Sequence, residues 1–497
     1  MKKKTKILIL IIADSAANSI KTIISKIPCE ICNSDIFSTE ILIIDDKYTD
    51  DTTELSQRFK KLYPKSSMSI LHSPVDQGYG ENRKLGYQYG IDNNFDIIVL
   101  LHENGQYNQD LLIDMINPIL DNEAEIVFES RMLNNREAIK KVIPLHKLIG
   151  MQILNRVQNL ILKSNLSEFY TGYGAYKVEI LKKIPFMYNS NNFAFNIDIL
   201  IQFIDKHCKI KEIRLPTLYR DKFSYAKGIK YIFNMIKASL LARIQKYNIY
   251  YHPKFDYENE NTTYASKLEF TSSHKFAVDY INSNSVVVDI GCGPGFVANA
   301  LVEKGCIVHG FDQFKQNTII KKLETYHVID CDNIASTFEF KGDRLDAVLL
   351  LDIIEHLKDP EAFLWSLRNK ISNYEPEIII TTANIAFIVT RTLLFFGQFN
   401  YGKKGILDIS HKRLFTFKQL KRSLINSGYN IRKTTGIPVP FPLVFGNNIF
   451  SKFLLLINLF LIKIWKGLFS YQIAIIASPQ PTLETLLKRS KLEKMKK

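Results

Sequence analysis

Long apolar runs are scarce in this chain of 497 residues, which argues against a membrane-spanning protein. The run from Ile7 to Ala13, after a basic start, is too short for the apolar core of a typical signal peptide, so we interpret it as a buried first strand. A second run, Phe453–Trp465, covers 13 residues and includes Asn458 and Lys463, whereas a membrane-spanning helix needs about 20 apolar residues. We expect it to lie in a membrane interface or to cap a core.

Cysteine is also scarce, since the chain has six, and their spacing shows no pattern. Sparse cysteines in a long chain indicate a reducing compartment. Cys29 and Cys32 form a Cys-x-x-Cys pair, but no second pair stands at the spacing of a zinc site. We expect two buried thiols there, with a metal or redox site as the alternative.

Acidic residues are fewer than basic ones, 50 against 65, which gives a formal net charge of +15. This balance suits an anionic partner: a nucleic acid, an acidic membrane surface or a phosphorylated substrate. Hydrophobic residues make up 46% of the chain, which predicts a mostly ordered, globular protein. Because hydrophobic cores stop growing at about 250 to 300 residues, we expect two of them.

Short apolar runs alternate with longer helical patterns in both halves of the chain, which is typical of βαβ units on a mostly parallel sheet. We predict two Rossmann-like α/β domains, at residues 1–251 and 266–480, joined by a linker at 252–265 and followed by a basic tail at 481–497. The first domain ends, at about residues 226–251, in a stretch that is apolar at helical spacing and carries only basic charges. This stretch predicts an amphipathic helix that lies on an anionic surface or, equally, caps the domain.

A glycine-rich turn follows a predicted strand in the second half, in VVVDIGCGPGFVANALVEKG. Asp289 ends the strand, and Gly291, Gly293 and Gly295 lead into a helix. Glycine is needed where a backbone turns tightly and approaches a ligand without a Cβ in the way. The next strand ends in Asp312, 17 residues after Gly295, where a carboxylate can accept hydrogen bonds from both ribose hydroxyls of a nucleoside.

This order of motifs resembles the class I S-adenosylmethionine-dependent methyltransferases. The resemblance implies that S-adenosylmethionine is the cofactor and that Asp330 or Asp332, after the third strand, meets its adenine. It extends to Asp352 at the fourth strand, in LDAVLLLDIIEHLKDPEAFL, and to a late segment similar to that of small-molecule enzymes of this class. A dinucleotide-binding dehydrogenase is the alternative for the glycine-rich turn, but Ala298 stands where its third glycine would be.

The kind of methyl acceptor is predicted from the end of the fourth strand. Enzymes that methylate base amino groups usually carry an Asn/Asp-Pro-Pro-aromatic motif there, and this chain has LDIIEH at residues 351–356 instead. That favours methylation of an oxygen on a small molecule or glycan over methylation of a nucleic acid. A hydroxyl acceptor must lose its proton, and imidazole titrates near neutrality, so His356 and His411 are the two candidates for a general base. The alternative is that these histidines shape the cofactor pocket.

EILIIDDKYTDDTTE, in the first half, ends a predicted strand in Asp45 and Asp46 and resembles the acidic motif of family-two glycosyltransferases of the GT-A fold. The resemblance implies that these acids meet the base and ribose of a nucleotide sugar and that Arg83, at a later helix start, is available to the diphosphate. Further motifs of the family supply Gln106, Arg131 and Glu168. The nearest relatives by this pattern are the polyprenyl- or dolichyl-phosphate hexosyltransferases.

LLHENGQY stands where such enzymes carry a metal-binding motif with two aspartates, and His102 and Asn104 replace them here. Histidine ligates transition metals, but an uncharged amide oxygen suits Mg²⁺ or Mn²⁺ poorly. We predict a weakened site for one of these ions, in a domain that is still active because its other motif residues remain.

The motifs together predict a bifunctional enzyme. It would transfer a sugar from a nucleotide-sugar donor to a lipid phosphate or glycan, and a methyl group from S-adenosylmethionine to an oxygen. If the sugar acceptor is a hydroxyl, Glu168 or Asp198 would act as the base, whereas an anionic phosphate needs none. We expect peripheral attachment to the inner face of the cell membrane, a role in cell-surface glycan synthesis and no nucleic-acid partner. The alternative is a degenerate module that binds a sugar nucleotide or glycan, fused to an active methyltransferase.

Overall fold

The computed structural model describes residues 4–13, 23–45, 59–72, 77–102, 111–133, 145–169, 172–214, 225–246, 250–257, 267–314, 323–487 and 490. The chain divides into two compact units, Met1–Glu260 and Asn261–Lys497. Each unit is built on a seven-stranded, mixed sheet of its own, which confirms the predicted α/β fold class.

The first unit contains strands β1 to β7 and helices α1 to α7. The strands are β1 (Thr5–Ala13), β2 (Phe37–Asp45), β3 (Ser67–His72), β4 (Ile97–His102), β5 (Ile126–Ser130), β6 (Gly174–Lys177) and β7 (Ile210–Arg214). The helices are α1 (Cys29–Cys32), α2 (Tyr79–Asp92), α3 (Leu111–Leu120), α4 (Leu145–Leu162), α5 (Val178–Leu181), α6 (Phe195–Asp205) and α7 (Tyr225–Lys246). Short 3-10 turns lie at Phe186–Tyr188 and Pro253–Phe255.

The strand order of the first sheet is β3-β2-β1-β4-β6-β5-β7. β6 runs antiparallel to β4 and β5, and the other pairs are parallel. The carboxyl ends of β1 to β5 therefore meet at one edge, where ligands bind in open α/β sheets. Asp45, at the end of β2, is in register with Ala13, and His102, at the end of β4, is in register with Ile12. The two strand ends singled out in the sequence thus lie on either side of β1.

Both faces of this sheet are buried, because its central strands are apolar almost throughout, as expected of parallel strands covered by helices. Successive residues of a strand point to opposite faces. Leu8 and Leu10 of β1 therefore pack in one core cluster, and Ile7 and Ile9 pack in another.

The predicted linker starts too early. Phe255 is buried in the core of the first unit, and the Lys254 ammonium lies 2.9 Å from a carboxylate oxygen of Asp198 in α6. The carbonyl of Lys254 also accepts a hydrogen bond from the Gln202 side chain at 2.7 Å. The polar composition of this stretch suggested a linker, but these contacts attach residues 253–255 to the first unit.

The second unit contains strands β8 to β14 and helices α8 to α16. The strands are β8 (Val286–Ile290), β9 (Ile307–Asp312), β10 (Thr325–Val328), β11 (Ala347–Leu351), β12 (Glu377–Ala383), β13 (Tyr429–Ile437) and β14 (Gln472–Pro479). The helices are α8 (Ser273–Tyr280), α9 (Phe296–Glu303), α10 (Ile334–Thr337), α11 (Pro360–Ile371), α12 (Ile388–Phe395), α13 (Phe417–Asn426), α14 (Phe441–Phe445), α15 (Ile449–Ile464) and α16 (Lys466–Phe469). Short 3-10 turns lie at Cys331–Asn333 and Ile354–His356.

The strand order of the second sheet is β10-β9-β8-β11-β12-β14-β13. β14 runs antiparallel to β12 and β13, and the other pairs are parallel. The carboxyl ends of β8 to β12 therefore share one edge, with β8 and β11 as neighbours at its centre. The chain leaves β8 towards one side of the sheet and β11 towards the other, which is where a crevice forms in such sheets.

The structure tests two further predictions, on membrane-spanning helices and on the Cys29–Cys32 pair. In the described part of the chain, no helix is long and apolar enough to cross a membrane. The expectation of two buried thiols is half wrong, because Cys32 is buried but Cys29 is exposed at the start of α1. Burial raises the pKa of the Cys32 thiol to about 12, so this cysteine is protonated and unreactive at neutral pH.

Candidate functional site

The glycine-rich turn joins β8 to α9 and crosses the carboxyl edge of the second sheet. Gly291, Gly293 and Gly295 have φ angles of +75°, +50° and +74°, which residues with a Cβ rarely adopt. A Cβ on Gly291 would lie 1.8 Å from Cδ1 of Ile353, but a Cβ on Gly293 would meet no protein atom within 4 Å. The turn therefore packs tightly against the chain after β11 and leaves open space beside Gly293.

Two carboxylates stand next to this turn. Asp312, at the end of β9, accepts hydrogen bonds from the backbone N–H groups of Gly293 at 2.8 Å and Phe314 at 3.1 Å. Asp289 is almost fully buried at the end of β8, and burial, with the nearby charge of Asp312, raises its pKa to about 7. The predicted glycines and both acids are thus brought together at one point of the sheet edge, with Asp312 placed as an acceptor.

Asp330 and Asp332 follow β10, and both carboxylates are already bonded. Asp330 caps its own turn, accepting from the backbone N–H of Asp332 at 2.9 Å and from the Asn333 amide at 2.6 Å. Asp332 accepts from the backbone N–H of Lys358 at 2.8 Å and lies 3.3 Å from the ammonium of Lys412. The contacts of Asp332 tie the turn after β10 to the segments after β11 and before α13, and a contact of either acid with adenine stays a prediction.

Asp352 lies directly after β11 in a polar cluster that was not apparent in the sequence. Its φ angle is +56°, and its carboxylate accepts hydrogen bonds from Thr381 at 2.7 Å, Gln472 at 2.8 Å and Ser273 at 3.2 Å. Lys267 lies 3.8 Å away. The cluster draws on β12, β14 and α8, which are far apart along the chain, so no local motif could have revealed it.

His274 belongs to the same neighbourhood, at the start of α8. Burial and the nearby Lys267 lower its pKa to about 4, although Asp352 acts in the opposite direction. The ring is therefore neutral at pH 7. Its buried Nδ1 atom makes no hydrogen bond within the described part of the chain, which leaves a polar atom available to a ligand.

His356 and His411, the two candidates for a general base, lie next to each other. Their ring centroids are 4.8 Å apart. The Nδ1 atom of His356 lies 3.3 Å from the carbonyl oxygen of Ser410, and Nδ1 of His411 lies 2.9 Å from that of Ile406. A carbonyl can only accept, so each Nδ1 donates and each Nε2 carries the lone pair when the ring is neutral. Burial and His411 lower the pKa of His356, which keeps that ring neutral.

Glu355 positions the two histidines and was not predicted. Its carbonyl oxygen accepts from the backbone N–H groups of Lys412 at 2.8 Å and Arg413 at 3.0 Å, which fixes the chain after His411 beside His356. Its side chain is buried, and burial together with the charge of Asp352 raises its pKa. The partner backbone is far away along the chain, so no local pattern marks this link.

In the first unit, Arg131 and Glu168 form an ion pair near the end of β5. Glu168 accepts from the backbone N–H of Arg131 at 2.7 Å and from its Nε at 2.7 Å, and a further guanidinium nitrogen contacts the same carboxylate. The Glu168 side chain is 1% exposed and that of Arg131 is 16% exposed. The two side chains therefore hold each other in place, and Glu168 fixes the orientation of Arg131 near the end of β5.

Arg83 does not lie where the sequence prediction requires. It is buried in α2, where its guanidinium donates to the hydroxyl of Tyr176 at 2.7 Å and to Tyr87 at 3.1 Å, and also contacts Asn196. The start of α2 is likewise occupied, because the backbone N–H of Gly80 donates to the carbonyl of Asn191 at 2.8 Å. The resemblance placed a basic residue at the helix start, but tertiary packing turns this one into the core, away from any exposed diphosphate.

Asp198 is also internal. Its carboxylate is fully buried and bonded to Ser190, through N at 3.0 Å and Oγ at 2.7 Å, and to Lys254. It ties α6 to the loop before it and to the end of the unit. This arrangement supports the fold and gives Asp198 no access to a sugar acceptor.

The remaining predicted residues of the first unit lie at the edge between its strands or outside the described residues. The backbone places Asp45 and His102 at the ends of the two strands that flank β1. Asp46, Asn104 and Gln106 lie outside the described residues. No group of three or more His, Cys, Asp or Glu side chains able to hold a metal occurs among the residues that the structure describes, so the metal site at His102 and Asn104 stays a prediction.

Family models match the two halves of the chain separately. Residues 17–185 match the family described as Glycosyl transferase family 2, and residues 260–433 match the one described as Methyltransferase domain. The chain joins a family 2 glycosyltransferase domain to a methyltransferase domain. The predicted family resemblance is confirmed for both halves.

Curated relatives match one domain each. The methyltransferase domain is similar to the mitochondrial ubiquinone biosynthesis O-methyltransferase of Arabidopsis thaliana, with 36% identity over 90 residues, 16% of this chain and 27% of that protein. The glycosyltransferase domain is similar to polyprenol monophosphomannose synthase of Mycolicibacterium smegmatis, with 21% identity over 182 residues, 36% of this chain and 67% of that protein. The chain thus spans 27% of the first relative's length and about two thirds of the second's.

Among solved structures, the chain matches glucosyl-3-phosphoglycerate synthase from Mycobacterium tuberculosis, in complex with Mn²⁺, uridine diphosphate and glucosyl-3-phosphoglycerate. The TM-score is 0.34 and the identity 16%, over 48% of this chain and 80% of that chain.

Proposed function

We propose that the chain is a bifunctional transferase. The methyltransferase domain moves a methyl group from S-adenosylmethionine to an oxygen of a glycan or small molecule. The glycosyltransferase domain moves a sugar from a nucleotide-sugar donor to a lipid phosphate or glycan. The observation that carries the first activity is the turn at Gly291–Gly295, with its open side at Gly293 and the carboxylate of Asp312 bonded across it.

S-adenosylmethionine supplies an activated methyl group when it is bound. The residues around the turn fit this cofactor. The Asp312 carboxylate can accept hydrogen bonds from the ribose hydroxyls, and the glycines let the backbone of the turn approach the cofactor without a Cβ in the way. A hydroxyl acceptor loses its proton as the methyl group arrives, and Nε2 of His356 or His411 is the atom that takes it.

The first test concerns His356 as the base. Replacing it with glutamine is expected to lower kcat about 100-fold, because general-base catalysis contributes about 100-fold or more. In the wild type, activity should fall as pH drops through the pKa of His356, which lies below the ordinary value of about 6.5, because only the neutral ring accepts a proton. The measurement is transfer of labelled methyl from S-adenosylmethionine to lipid and glycan extracts across pH.

His309→Gln is the matched control. His309 is also partly buried and has a lowered pKa, but it lies in β9 and hydrogen-bonds Thr325 in β10, so it belongs to the sheet and not to the histidine pair. His309→Gln should keep the wild-type kcat and the wild-type fall in activity at low pH. A His356→Gln variant that also keeps both would exclude the base role and leave the pocket-shaping alternative.

A lipid-phosphate acceptor for the sugar is supported by an exposed apolar stripe on α4. Leu145, Ile149, Ile153 and Leu160 are 58%, 47%, 56% and 81% exposed and recur at helical spacing. The helix α7, which packs against α4, has no acidic residue, and its Phe233 is 66% exposed. Apolar side chains beside basic ones suit an anionic membrane surface, which supports the proposal of peripheral attachment to the inner face of the cell membrane. A role in cell-surface glycan synthesis is part of the same proposal.

The second test concerns the altered metal motif. Asn104→Asp is expected to lower the Mn²⁺ concentration for half-maximal sugar transfer about tenfold, because a carboxylate replaces an uncharged ligand. A thermal-shift screen of nucleotide sugars first identifies the donor, and polyprenyl phosphate serves as acceptor. Asn108→Asp adds the same charge four residues away and should leave the Mn²⁺ titration unchanged. If a donor binds but neither variant nor wild type transfers it at any Mn²⁺ concentration, the binding-module alternative takes the place of the transferase.

A further inference from the structure

The methyltransferase domain carries a large exposed apolar surface formed by α12 and α15. We call this the α12–α15 surface and define it by six of its exposed members. They are Phe395, Phe396, Phe453, Leu456, Phe460 and Trp465. Phe395 is 85% exposed and Leu456 is 65% exposed, whereas soluble proteins rarely leave a large contiguous patch of this kind uncovered.

The orientation of α15 shows that these residues are held outward by its own polar groups. The buried residues of α15 are Ser451, Asn458 and Ile462. Asn458 accepts from the backbone N–H of Val439 at 2.9 Å and donates to the carbonyl of Phe469 at 3.0 Å, and Ser451 completes the cap of the helix with Asn448. Inward polar anchors and outward phenylalanines reverse the pattern of an ordinary surface helix.

Three contacts join the end of α15, and the residues after it, to α12 and the residues before it. The guanidinium of Arg391, in α12, lies 6.0 Å from the ring centroid of Trp465 at the end of α15. The amide of Asn384, just before α12, donates to the carbonyls of Gly467 and Ser470, which follow α15, at 3.1 and 2.8 Å. These contacts fix the end of α15 beside α12.

The segment of chain that carries this surface is almost entirely positive in charge. Residues 378–483 contain thirteen lysines and arginines but a single acid, Asp408. Arg391, Lys403, Lys404, Lys452 and Lys463 are exposed within the segments that form or flank the surface. This stretch therefore accounts for most of the net charge of +15.

The α12–α15 surface is also connected to the histidine pair. Phe387, at the start of α12, packs in a small core with Ala383 and Ile406. The carbonyl of Ile406 is the partner of Nδ1 of His411 at 2.9 Å, and the backbone N–H of Ala383 donates to Glu355 at 3.2 Å. The base of α12 thus shares its packing with the residues that hold the proposed methyl-transfer site.

Two other occupants fit these observations less well. A second copy of this chain would bring two strongly basic surfaces together, which like-charge repulsion opposes. A nucleic acid would satisfy the charge but would leave Phe395, Leu456 and Phe460 without an apolar partner. An anionic bilayer supplies both an apolar layer and negative head groups.

From these observations we propose that the α12–α15 surface docks the methyltransferase domain onto an anionic lipid bilayer, with its phenylalanines in the interface and its lysines and arginines at the head groups. The inference rests on the peripheral location proposed above and assigns it a second surface, separate from the stripe on α4. Its consequence is that the methyl acceptor reaches His356 and His411 from the membrane side.

The test is vesicle flotation of the full chain with phosphatidylcholine vesicles, with and without phosphatidylglycerol. The surface variant is Phe395→Ser, Phe453→Ser and Phe460→Ser together, and we expect it to lower the bound fraction on anionic vesicles at least about tenfold. The matched control is Trp365→Ser, Ile425→Ser and Leu483→Ser, three exposed apolar residues of the same unit outside α12 and α15. The control should float like the wild type, and S-adenosylmethionine affinity by calorimetry should be the same in all three proteins.

The outcomes separate this inference from the proposals on which it rests. Equal flotation of wild type and surface variant would overturn the assignment of this surface while leaving peripheral attachment through the first unit. No flotation of the wild type would overturn both the surface and the location, whereas S-adenosylmethionine binding would still test the methyltransferase. A dimer in light scattering that the surface variant dissociates, without flotation, would assign the surface to self-association.

Discussion

Replacing Gly293 with valine is expected to weaken S-adenosylmethionine binding at least about 100-fold, or roughly 2.7 kcal/mol. A Cβ at this position would meet no protein atom within 4 Å, so the added side chain projects into the space where the cofactor would lie. The φ angle of +50° adds strain of about 1–2 kcal/mol for any residue with a Cβ. Calorimetric titration of S-adenosylmethionine measures the affinity, and the thermal midpoint shows that the domain still folds.

The control separates backbone strain from loss of the cofactor site. Gly397 has a φ angle of +69° and open space where a Cβ would lie, but it follows α12, away from the turn. Gly397→Val should therefore share the strain and bind S-adenosylmethionine with wild-type affinity. Gly291 is unsuitable because its Cβ would collide with Ile353 and disturb the fold itself. Wild-type affinity in Gly293→Val would remove this turn from the cofactor site.

The strands that the sequence predicts well are those with continuous apolar runs. β1, β4 and β8 are central strands buried on both faces, so their composition alone marks them. β6 gives no such signal because it is a four-residue strand, and β13 gives none because its exposed and buried residues do not alternate clearly. Short or edge strands depend on pairing with distant segments, and that pairing leaves no periodic signal.

Some residues of the candidate site can likewise be predicted from local motifs, whereas others depend on contacts between distant segments. Asp289, the glycine turn and Asp312 are local motifs at strand ends, so sequence order places them together. Glu355 depends on the backbone at Lys412, and the polar cluster at Asp352 depends on residues far along the chain. A pattern read along the sequence identifies the residues that belong to strand ends, but it cannot tell which buried polar groups will meet across the fold.

Arg83 is the clearest case of a motif residue whose surroundings depend on residues far along the chain. Its position at a helix start resembles a diphosphate site, whereas its partners Tyr176 and Asn196 lie 93 and 113 residues further along the chain. The rings of Tyr87 and Phe195 also lie within cation–π distance of the guanidinium, at 5.5 and 5.0 Å. The aromatic and hydroxyl groups around it replace the water that a charged side chain would otherwise need.

Arg83→Met is therefore expected to destabilise the glycosyltransferase domain by about 3 kcal/mol or more, because it leaves the buried hydroxyls of Tyr87 and Tyr176 without their partner. Hydrogen exchange measured by mass spectrometry should show faster exchange in α2 and β6 and no change in the methyltransferase domain. Arg214→Met, at an exposed arginine of the same domain, should change stability by less than about 0.5 kcal/mol. If Arg83 instead binds the donor diphosphate, its replacement would lower nucleotide-sugar affinity while exchange in α2 and β6 stayed at the wild-type level. That result would contradict the structural role and return Arg83 to the donor site.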